Sequence, residues 1–398
     1  MPAPVHLGDS HNFGRRVTLR ARRVHKPRAI VWEWLLLGSD SPLRKLLGDA
    51  AAKDELGEGA FDFLPDLAFF PASPSFAADG GDVERVVLEP LATRIDAVGR
   101  RRLAEIAGRA IALFAWLGVS DLHWENLVLG RTKQDRWIFA PLDVEMILAD
   151  LSLPTETKLL PDADPEYAAI CRHASGARRL LPYLGKPVAA NDVLAMAGAY
   201  LRTLAFLDRN APAIAGAFAA LPALRDAPIR VCLRGTGDYL RARSEPLWPP
   251  LLDAEEEQLA RGDIPYFFRL YGRPGIHYFA DPTLRAVKRL PLRGDVPQLD
   301  PILPVSRALR SPTRAKLREE GLFTLLGAFD HAGLAGPCGI DGLAVDFKAR
   351  AIVVKHEGDE LHARRNLSAF VGSVYLPCTC GEVATVFVPP VTVCEASP

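Results

Sequence analysis

Apolar residues recur at three- and four-residue steps between positions 101 and 117, which is the period of an amphipathic helix with one buried face. The apolar positions are Leu103, Ile106, Ala110, Ile111, Leu113, Phe114 and Leu117. Gly118 follows, and glycine readily adopts the left-handed backbone found at helix C-termini. The pattern therefore predicts a helix over residues 101–117.

A second long helix is predicted to begin at Asn191, whose side chain can cap the first turn, and to end at Asn210, ahead of Pro212. Short apolar or alternating segments predict strands at 17–19, 23–25, 83–88, 127–129, 137–139 and 229–234. The segments 127–129 and 137–139 flank a polar turn and predict a hairpin. Residues 61–82 are rich in Pro, Gly, Ala and Phe, which favours irregular structure.

The composition changes after residue 268, and we place a boundary near 270. The later segments predict a helix at 312–328, β-hairpins at 343–364 around a turn at 357–359, and a last strand at 383–388. Two prolines follow that strand, which is typical of an edge or terminal strand. The region 271–398 is therefore expected to be β-rich.

The chain has 398 residues, with 48 basic and 48 acidic side chains and so no net charge. Neutrality argues against a general nucleic-acid binder, while 49% hydrophobic residues suffice for sizeable cores. The N-terminus lacks the apolar core of a secretory signal, and no apolar run is long enough to span a membrane. Among six cysteines only Cys378 and Cys380 lie close together. We expect reduced thiols in a cytoplasmic protein, with a redox or metal role for that pair as the alternative.

The strongest local signal is a loop with Asp121, His123 and Asn126, followed after the predicted hairpin by Asp143 and Glu145. Phosphoryl transfer needs such a set, because one group orients or deprotonates the attacking hydroxyl while an amide and a carboxylate hold magnesium. The alternative is a helix-ending loop with incidental polar residues. The acidic residues after the hairpin favour the catalytic interpretation, because a second acid is expected at that position.

The N-terminal segment supplies a loop and a cation for nucleotide phosphates. The loop residues are Gly8, Asp9, His11 and Gly14. Lys26 follows a predicted strand and precedes every other lysine, which makes it the best candidate for the phosphates. Glu33, seven residues later, is a candidate to orient that lysine. Glu89 stands where a hinge segment would contact adenine through its backbone, although a plain surface carboxylate is an equal alternative.

Together these segments resemble the dehydratase domain of class II (LanM-type) lanthipeptide synthetases. The matching motifs are Gly8-Asp9-x-His11-x-x-Gly14, Lys26-Pro27-Arg28, Asp121-x-His123-x-x-Asn126, Asp143-Val144-Glu145, Arg230-Val231-Cys232-Leu233-Arg234-Gly235-Thr236 with Tyr239, and Gly262-Asp263-Ile264-Pro265-Tyr266-Phe267. The resemblance covers residues 8–268. It implies an α+β, two-lobed, kinase-like (lipid-kinase-like) fold, with an N-lobe at 1–92 and a C-lobe at 93–270. Residues 271–398 lie outside the resemblance and are expected to form a β-rich accessory region with no assigned role.

The resemblance also implies two activities. ATP and Mg²⁺ would phosphorylate Ser or Thr of a ribosomal precursor peptide, and phosphate would then be eliminated to leave dehydroalanine or dehydrobutyrine. In the implied roles, Gly8, Asp9, Gly14, Lys26 and Glu89 bind ATP, Asp121 is the base, His123 supports its loop, Asn126 and Asp143 hold magnesium, and Arg230 and Thr236 serve elimination. Along one strand, the spacing of Arg230, Arg234 and Thr236 would put all three on one face. The alternative for Arg230 is an ordinary surface strand residue.

Members of this family also carry a C-terminal cyclase with a Cys and Cys-His zinc set, and no Cys-His-Gly segment occurs here. We therefore expect a stand-alone dehydratase that does not close rings. Its expected partners are the precursor peptide and a separate cyclase protein, with neither nucleic acid nor membrane. Two alternatives stay open: a plain kinase without elimination, and a peptide-binding partner with a decayed kinase site.

Overall fold

The computed structural model describes most of the first 291 residues and separate segments beyond them. The described residues are 5–73, 76, 80–89, 95–149, 151, 153–160, 188–247, 250–291, the single positions 317, 321 and 325, and the strands between 340 and 394. Helices and antiparallel strands both contribute to these ranges. The mixed helix and strand content agrees with the α+β class expected from the sequence.

The first sheet has five antiparallel strands in the order β1-β2-β3-β5-β4. These strands are β1 (Val5–His11), β2 (Arg15–Leu19), β3 (Arg23–Lys26), β4 (Phe69–Pro71) and β5 (Gly81–Glu84). Two helices, α1 (Val31–Leu37) and α2 (Pro42–Ala51), follow β3. The strands predicted at 17–19 and 23–25 are confirmed. The glycine loop is a β-hairpin, because β1 continues to His11 and turns directly into β2.

The strand predicted at 83–88 is wrong at both ends, and the irregular stretch predicted before it contains β4. β5 begins at Gly81 and stops at Glu84, and Val87 is 69% exposed rather than buried. The neighbouring strand β3 begins only at Arg23, which pairs with Glu84. The next amide, that of Arg85, still donates to the Arg22 carbonyl at 3.0 Å, and the regular pairing ends there because Arg22 precedes β3.

The first predicted helix is confirmed as α3 (Ala97–Trp116). It begins earlier than residue 101 because Asp96 caps it, with its carboxylate accepting from the Gly99 amide at 2.7 Å. Gly118 follows the helix with φ +65°, and a Cβ there would lie 2.2 Å from the Ala149 carbonyl oxygen. The predicted hairpin is confirmed as β6 (Leu127–Arg131) and β7 (Trp137–Pro141), so the loop between α3 and β6 is anchored at both ends.

The second predicted helix is longer than expected. It is α4 (Ala190–Ala220), so Asn191 lies inside the first turn, and the helix continues through Asn210 and Pro212. A proline inside a helix costs about 3 kcal/mol. Ile214 and Phe218 are fully buried beyond it, and burying two such side chains contributes roughly 3–6 kcal/mol. The apolar face therefore outweighs the missing backbone hydrogen bond.

A second antiparallel sheet has the order β12-β11-β10-β9. Its strands are β9 (Pro228–Val231), β10 (Phe267–Leu270), β11 (His277–Phe279) and β12 (Val287–Arg289), and the helices α5 (Thr236–Arg241) and α6 (Asp253–Ala260) lie between β9 and β10. The strand predicted at 229–234 is thus shorter than expected. The sheet also continues past residue 270, so the boundary placed there falls between two of its paired strands.

The remaining strands lie mostly in the C-terminal region. They are β8 (Val188–Ala189), β13 (Ile340–Asp341), β14 (Leu343–Asp346), β15 (Ala351–His356), β16 (Asp359–Arg365), β17 (Ser373–Pro377), β18 (Val383–Phe387) and β19 (Val391–Cys394). The predicted hairpins at 343–364 are confirmed by β14, β15 and β16, whereas β18 is not the last strand because β19 follows it. The helix predicted at 312–328 lies outside the described residues, except for three helical positions. Among the described helices, none combines the length and apolar character needed to cross a membrane.

Candidate active site

A cavity of about 680 Å³ opens between the β1–β2 hairpin, the loop after α3, the segment after β7 and the end of β9. Of the eleven residues to which the sequence analysis gave a role in ATP binding, metal binding or catalysis, eight line it: Gly8, Asp9, Asp121, His123, Asn126, Asp143, Arg230 and Thr236. Three others are not among its lining residues: Gly14, Lys26 and Glu89. The candidates for catalysis, metal binding and elimination are therefore brought to one cavity.

The loop after α3 is held by its own amide side chain. The Asn126 Nδ2 donates to the Asp121 carbonyl oxygen at 2.9 Å and lies 3.1 Å from the His123 Nε2. Asp121 has φ +64°, a conformation that is rare and costly for a residue other than glycine. Partial burial raises the pKa of Asp121, against the opposing pull of His123 and Arg230. This loop therefore presents to the cavity the carboxylate of Asp121, whose backbone is strained and whose pKa is raised.

Lys26 lies in a buried ion pair behind the cavity. Its Nζ donates to both carboxylate oxygens of Glu33, at 2.8 and 2.7 Å, and also to the Leu142 carbonyl. The side chains of Lys26 and Glu33 are 8% and 1% exposed. The predicted contact of Glu33 with Lys26 is confirmed, and it ties the end of β3 to the first turn of α1.

Arg28 is a functional candidate that the sequence reasoning did not single out. It lines the cavity and contacts three carboxylates: Glu33 at 2.9 Å, Asp143 at 2.6 Å and Glu145 at 2.8 Å. Its position two residues after Lys26 was visible in the sequence. The signal that could have identified it is a second cation just after the candidate lysine, although Arg28 lies beyond the end of β3 at Lys26.

The two acids after β7 have opposite pKa shifts. Burial works against ionisation of Asp143, but Arg28 and Lys26 outweigh it and lower the pKa of Asp143 to about 2. Burial dominates at Glu145 and raises its pKa in spite of Arg28. Asp143 is therefore a permanent carboxylate near neutral pH, and its side chain is 30% exposed toward the cavity that it lines.

Arg230 and Thr236 both line the cavity, although the reason given from the sequence is wrong. β9 ends at Val231, and Thr236 begins α5 instead of continuing a strand. The ladder stops because Val231 pairs with Phe267, and Pro265 beyond it has no amide to donate. The two side chains reach the same cavity through a turn and a helix start.

The third residue of that predicted face, Arg234, points elsewhere. Its Nε donates to the buried Glu255 at 3.0 Å, and its Nη2 donates to the Pro250 carbonyl at 2.7 Å. Glu255 also accepts from the Tyr239 hydroxyl at 2.8 Å. Arg234 therefore fastens α5 to α6 and does not line the cavity.

His11 is a second cavity residue to which the sequence reasoning gave no role of its own. Its Nδ1 donates to the Ile264 carbonyl at 2.8 Å, which leaves Nε2 as the unprotonated nitrogen of the neutral ring. Burial, helped by the charge of Arg230, lowers the pKa of His11 to about 4. A neutral imidazole with an available lone pair thus lines the same cavity as Arg230.

Glu89 lies apart from these groups. Its backbone amide donates to the Arg131 carbonyl at 2.8 Å, and the residue is exposed. This isolated bridge ties the segment after β5 to the β6–β7 hairpin. Glu89 therefore lies at a connection between the first sheet and the rest of the chain, without contributing a side chain to the cavity wall.

The donors proposed for magnesium are Asn126 and Asp143. Within the described residues, no group of three or more His, Cys, Asp or Glu side chains is arranged to hold a metal ion. Mg²⁺ bound with a nucleotide needs only one or two protein oxygens, since phosphates and waters complete its shell. The Asn126 Nδ2 is committed to the Asp121 carbonyl, and Asp143 stays ionised. These two residues fit a nucleotide-bound magnesium better than a metal held by protein alone.

Comparison with protein-family models gave no match to this chain, and comparison with curated proteins gave none either.

Proposed function

We propose that this protein phosphorylates Ser or Thr of a ribosomal precursor peptide with MgATP and then eliminates the phosphate to leave a dehydroamino acid. The observation that carries the proposal is that one cavity is lined by both sets of residues, Asp121, Asn126 and Asp143 for transfer and Arg230 and Thr236 for elimination. The buried ion pair beside the first sheet supports a two-lobed, kinase-like arrangement. The availability of ATP favours a cytoplasmic location.

In the transfer step, Asp121 accepts the proton of the substrate hydroxyl. Its raised pKa suits this role, because a base with greater proton affinity takes a larger share of the proton in the transition state. Asn126 and Asp143 would hold magnesium, which supplies charge neutralisation for the phosphates. Lys26, held by Glu33, would add a fixed positive charge behind them.

In the elimination step, we assign His11 as the base for the α-proton, because its neutral ring lines the cavity and its Nδ1 is bound to the Ile264 carbonyl. Its Nε2 takes the proton, the Cα–Cβ double bond forms, and the Cβ–O bond breaks as phosphate leaves with the electron pair. Arg230 binds the departing phosphate, and the Thr236 hydroxyl donates to the carbonyl oxygen on which enolate-like charge develops. The peptide product would then pass to a separate cyclase protein.

An Arg230→Ala variant tests this proposal by mass spectrometry with ATP, magnesium and the precursor peptide encoded beside the gene. Wild-type protein should give mass losses corresponding to water, while the variant should accumulate phosphopeptide. Arg241→Ala is a matched control, because Arg241 is an exposed arginine in α5 that is not among the cavity-lining residues. Loss of phosphorylation itself in Arg230→Ala would contradict the division of roles.

A plain kinase is the second candidate, and one contact favours it. The Arg230 Nη1 lies 3.4 Å from the Glu145 Oε1, so Arg230 could serve as a structural partner of a buried acid. Under this function wild-type protein would give only stable gains of phosphate mass. The product of Arg230→Ala would then be the same phosphopeptide as that of wild-type protein.

A further inference from the structure

The turn of the β1–β2 hairpin is fastened to a segment about 250 residues later in the chain. Asp263 is fully buried and accepts three hydrogen bonds from this turn. The Oδ1 accepts from the Ser10 hydroxyl at 2.7 Å and from the Gly14 amide at 2.9 Å, and the Oδ2 accepts from the Phe13 amide at 2.7 Å. Both carboxylate oxygens are therefore committed to the hairpin.

The turn has a backbone conformation that needs such support. Asn12, Phe13 and Gly14 have φ values of +47°, +70° and +81°, and this left-handed region is unfavourable for a residue with a side chain such as Phe13. Successive residues in this region direct neighbouring amides toward one point. Asp263 supplies the negative charge at that point, so the carboxylate and the turn geometry stabilise each other.

Two further contacts come from the residues beside Asp263. The Ile264 amide donates to the Ser10 carbonyl at 2.8 Å, and the His11 ring donates back to the Ile264 carbonyl at 2.8 Å. On the other side, the Arg261 guanidinium lies 4.1 Å from the centre of the Phe13 ring. The tip of the hairpin is thus held by charge, backbone pairing and ring stacking together.

We infer that Asp263 is a positioning residue that holds the glycine hairpin in place at the cavity, and that nucleotide affinity depends on this contact. The inference rests on the proposed function, because it assumes that the hairpin contacts nucleotide phosphates. Gly8, Asp9 and His11 line the cavity from the hairpin side. A hairpin released from Asp263 would carry all three away from the position where a ligand meets them.

The charge of Asp263 matters more than its shape. Asparagine would keep the size but replace one acceptor oxygen with an amide group, which is itself a donor. That amide would face either the Phe13 amide or the pair formed by Ser10 and Gly14. The remaining hydrogen bonds would lose charge assistance as well, and such bonds are about twice as strong as neutral ones.

The test compares Asp263→Asn with wild-type protein by amide hydrogen exchange over residues 10–16 and by steady-state kinetics with MgATP. We expect faster exchange in the hairpin, a rise of about tenfold or more in KM for ATP, and a kcat within roughly threefold, which is the kinetic signature of weakened uniform binding. Ser10→Ala removes one of the three bonds and should give a smaller change in the same direction. This milder variant keeps the test available even where Asp263→Asn folds poorly.

Asp96→Asn is the matched control, because Asp96 also caps backbone amides but lies at the start of α3, outside the cavity lining. It should leave both measurements unchanged. Unchanged hairpin exchange in a folded Asp263→Asn protein would overturn the inference, and so would faster exchange with an unchanged KM. If wild-type protein turned over no ATP, the proposed function and the nucleotide part of the inference would both fail. The exchange measurement would still decide whether Asp263 holds the hairpin.

Discussion

Replacing Glu33 with glutamine removes the negative charge on which two buried cations depend. Glu33 is 1% exposed and accepts two hydrogen bonds from Lys26 and one from Arg28, all between 2.7 and 2.9 Å. Lys26 would then keep two neutral acceptors, the Leu142 carbonyl and the amide oxygen of the glutamine, but no carboxylate, while Arg28 would keep Asp143 and Glu145. The loss therefore falls mainly on Lys26, whose side chain is 8% exposed.

Breaking a buried ion pair by removing one partner costs about 3–5 kcal/mol, because an uncompensated charge stays in the interior. We expect Glu33→Gln to lower the free energy of unfolding by an amount in this range. Urea unfolding followed by tryptophan fluorescence measures it, provided that the dependence on urea keeps the same slope. Glu105→Gln is the control: its ion pair with Arg101 is 3.6 Å long and partly exposed, so we expect a change within ~0.5 kcal/mol.

A loss below about 1 kcal/mol in Glu33→Gln would refute this reasoning, since a buried pair of this kind should cost several times more. The double variant Lys26→Met/Glu33→Leu separates stability from function. Replacing both charges with apolar groups should recover part of the stability. ATP turnover should be lost, because Lys26 no longer supplies its positive charge behind the phosphates and Arg28 is matched by its own carboxylates.

Three further outcomes follow from the cavity charges. Asp121→Asn should lower kcat for phosphorylation by roughly 10²–10⁴-fold. In a pH–rate profile of wild-type protein, the acid-side decline should be centred at a pH above the ordinary aspartate pKa, because the base works deprotonated and burial raises the pKa of Asp121. His11→Gln should slow elimination more than phosphorylation in the peptide assay, so that phosphopeptide accumulates. With the pKa of His11 lowered to about 4, wild-type elimination should stay flat from pH 8 to 5, and a decline centred near 6.5 would contradict this. The pKa of about 2 for Asp143 means that its carboxylate adds to the free energy of unfolding above about pH 4, and that this contribution is lost toward pH 2. Asp143→Asn should lack this contribution. Urea midpoints of wild-type and variant protein, measured between pH 2 and 7, should therefore differ most at the higher pH.

Segments governed by local periodicity could be predicted from the sequence. The apolar stripe of α3 and the hairpin of β6 and β7 follow from residues that are neighbours in the chain. The loop between them carries its candidate residues into the cavity for the same reason. The Lys26–Glu33 pair was also within reach, since both residues lie near the start of one short helix.

Elements whose ends depend on distant partners could not be predicted in the same way. β9 stops at Val231 because Pro265 cannot extend the ladder, and no pattern in residues 229–234 shows this. α4 continues through Pro212 because the buried positions beyond it outweigh the local penalty. The contact of Asp263 with the glycine hairpin also could not be predicted, because its donors lie about 250 residues earlier in the chain.

The net charge of the sequence also could not predict which cation near the cavity is available to a ligand. A neutral composition leaves room for a phosphate site, but it cannot rank the cations within it. Arg28 is matched by carboxylates at 2.6–2.9 Å and Lys26 by Glu33 at 2.7 Å, whereas the contact of Arg230 with Glu145 at 3.4 Å is the longest ion pair of this cluster. Arg230 therefore gives up least when a phosphate oxygen approaches it. Under the proposed function, the distances to neighbouring carboxylates, rather than the number of cations, favour Arg230 over Arg28 and Lys26 as the group for the leaving phosphate.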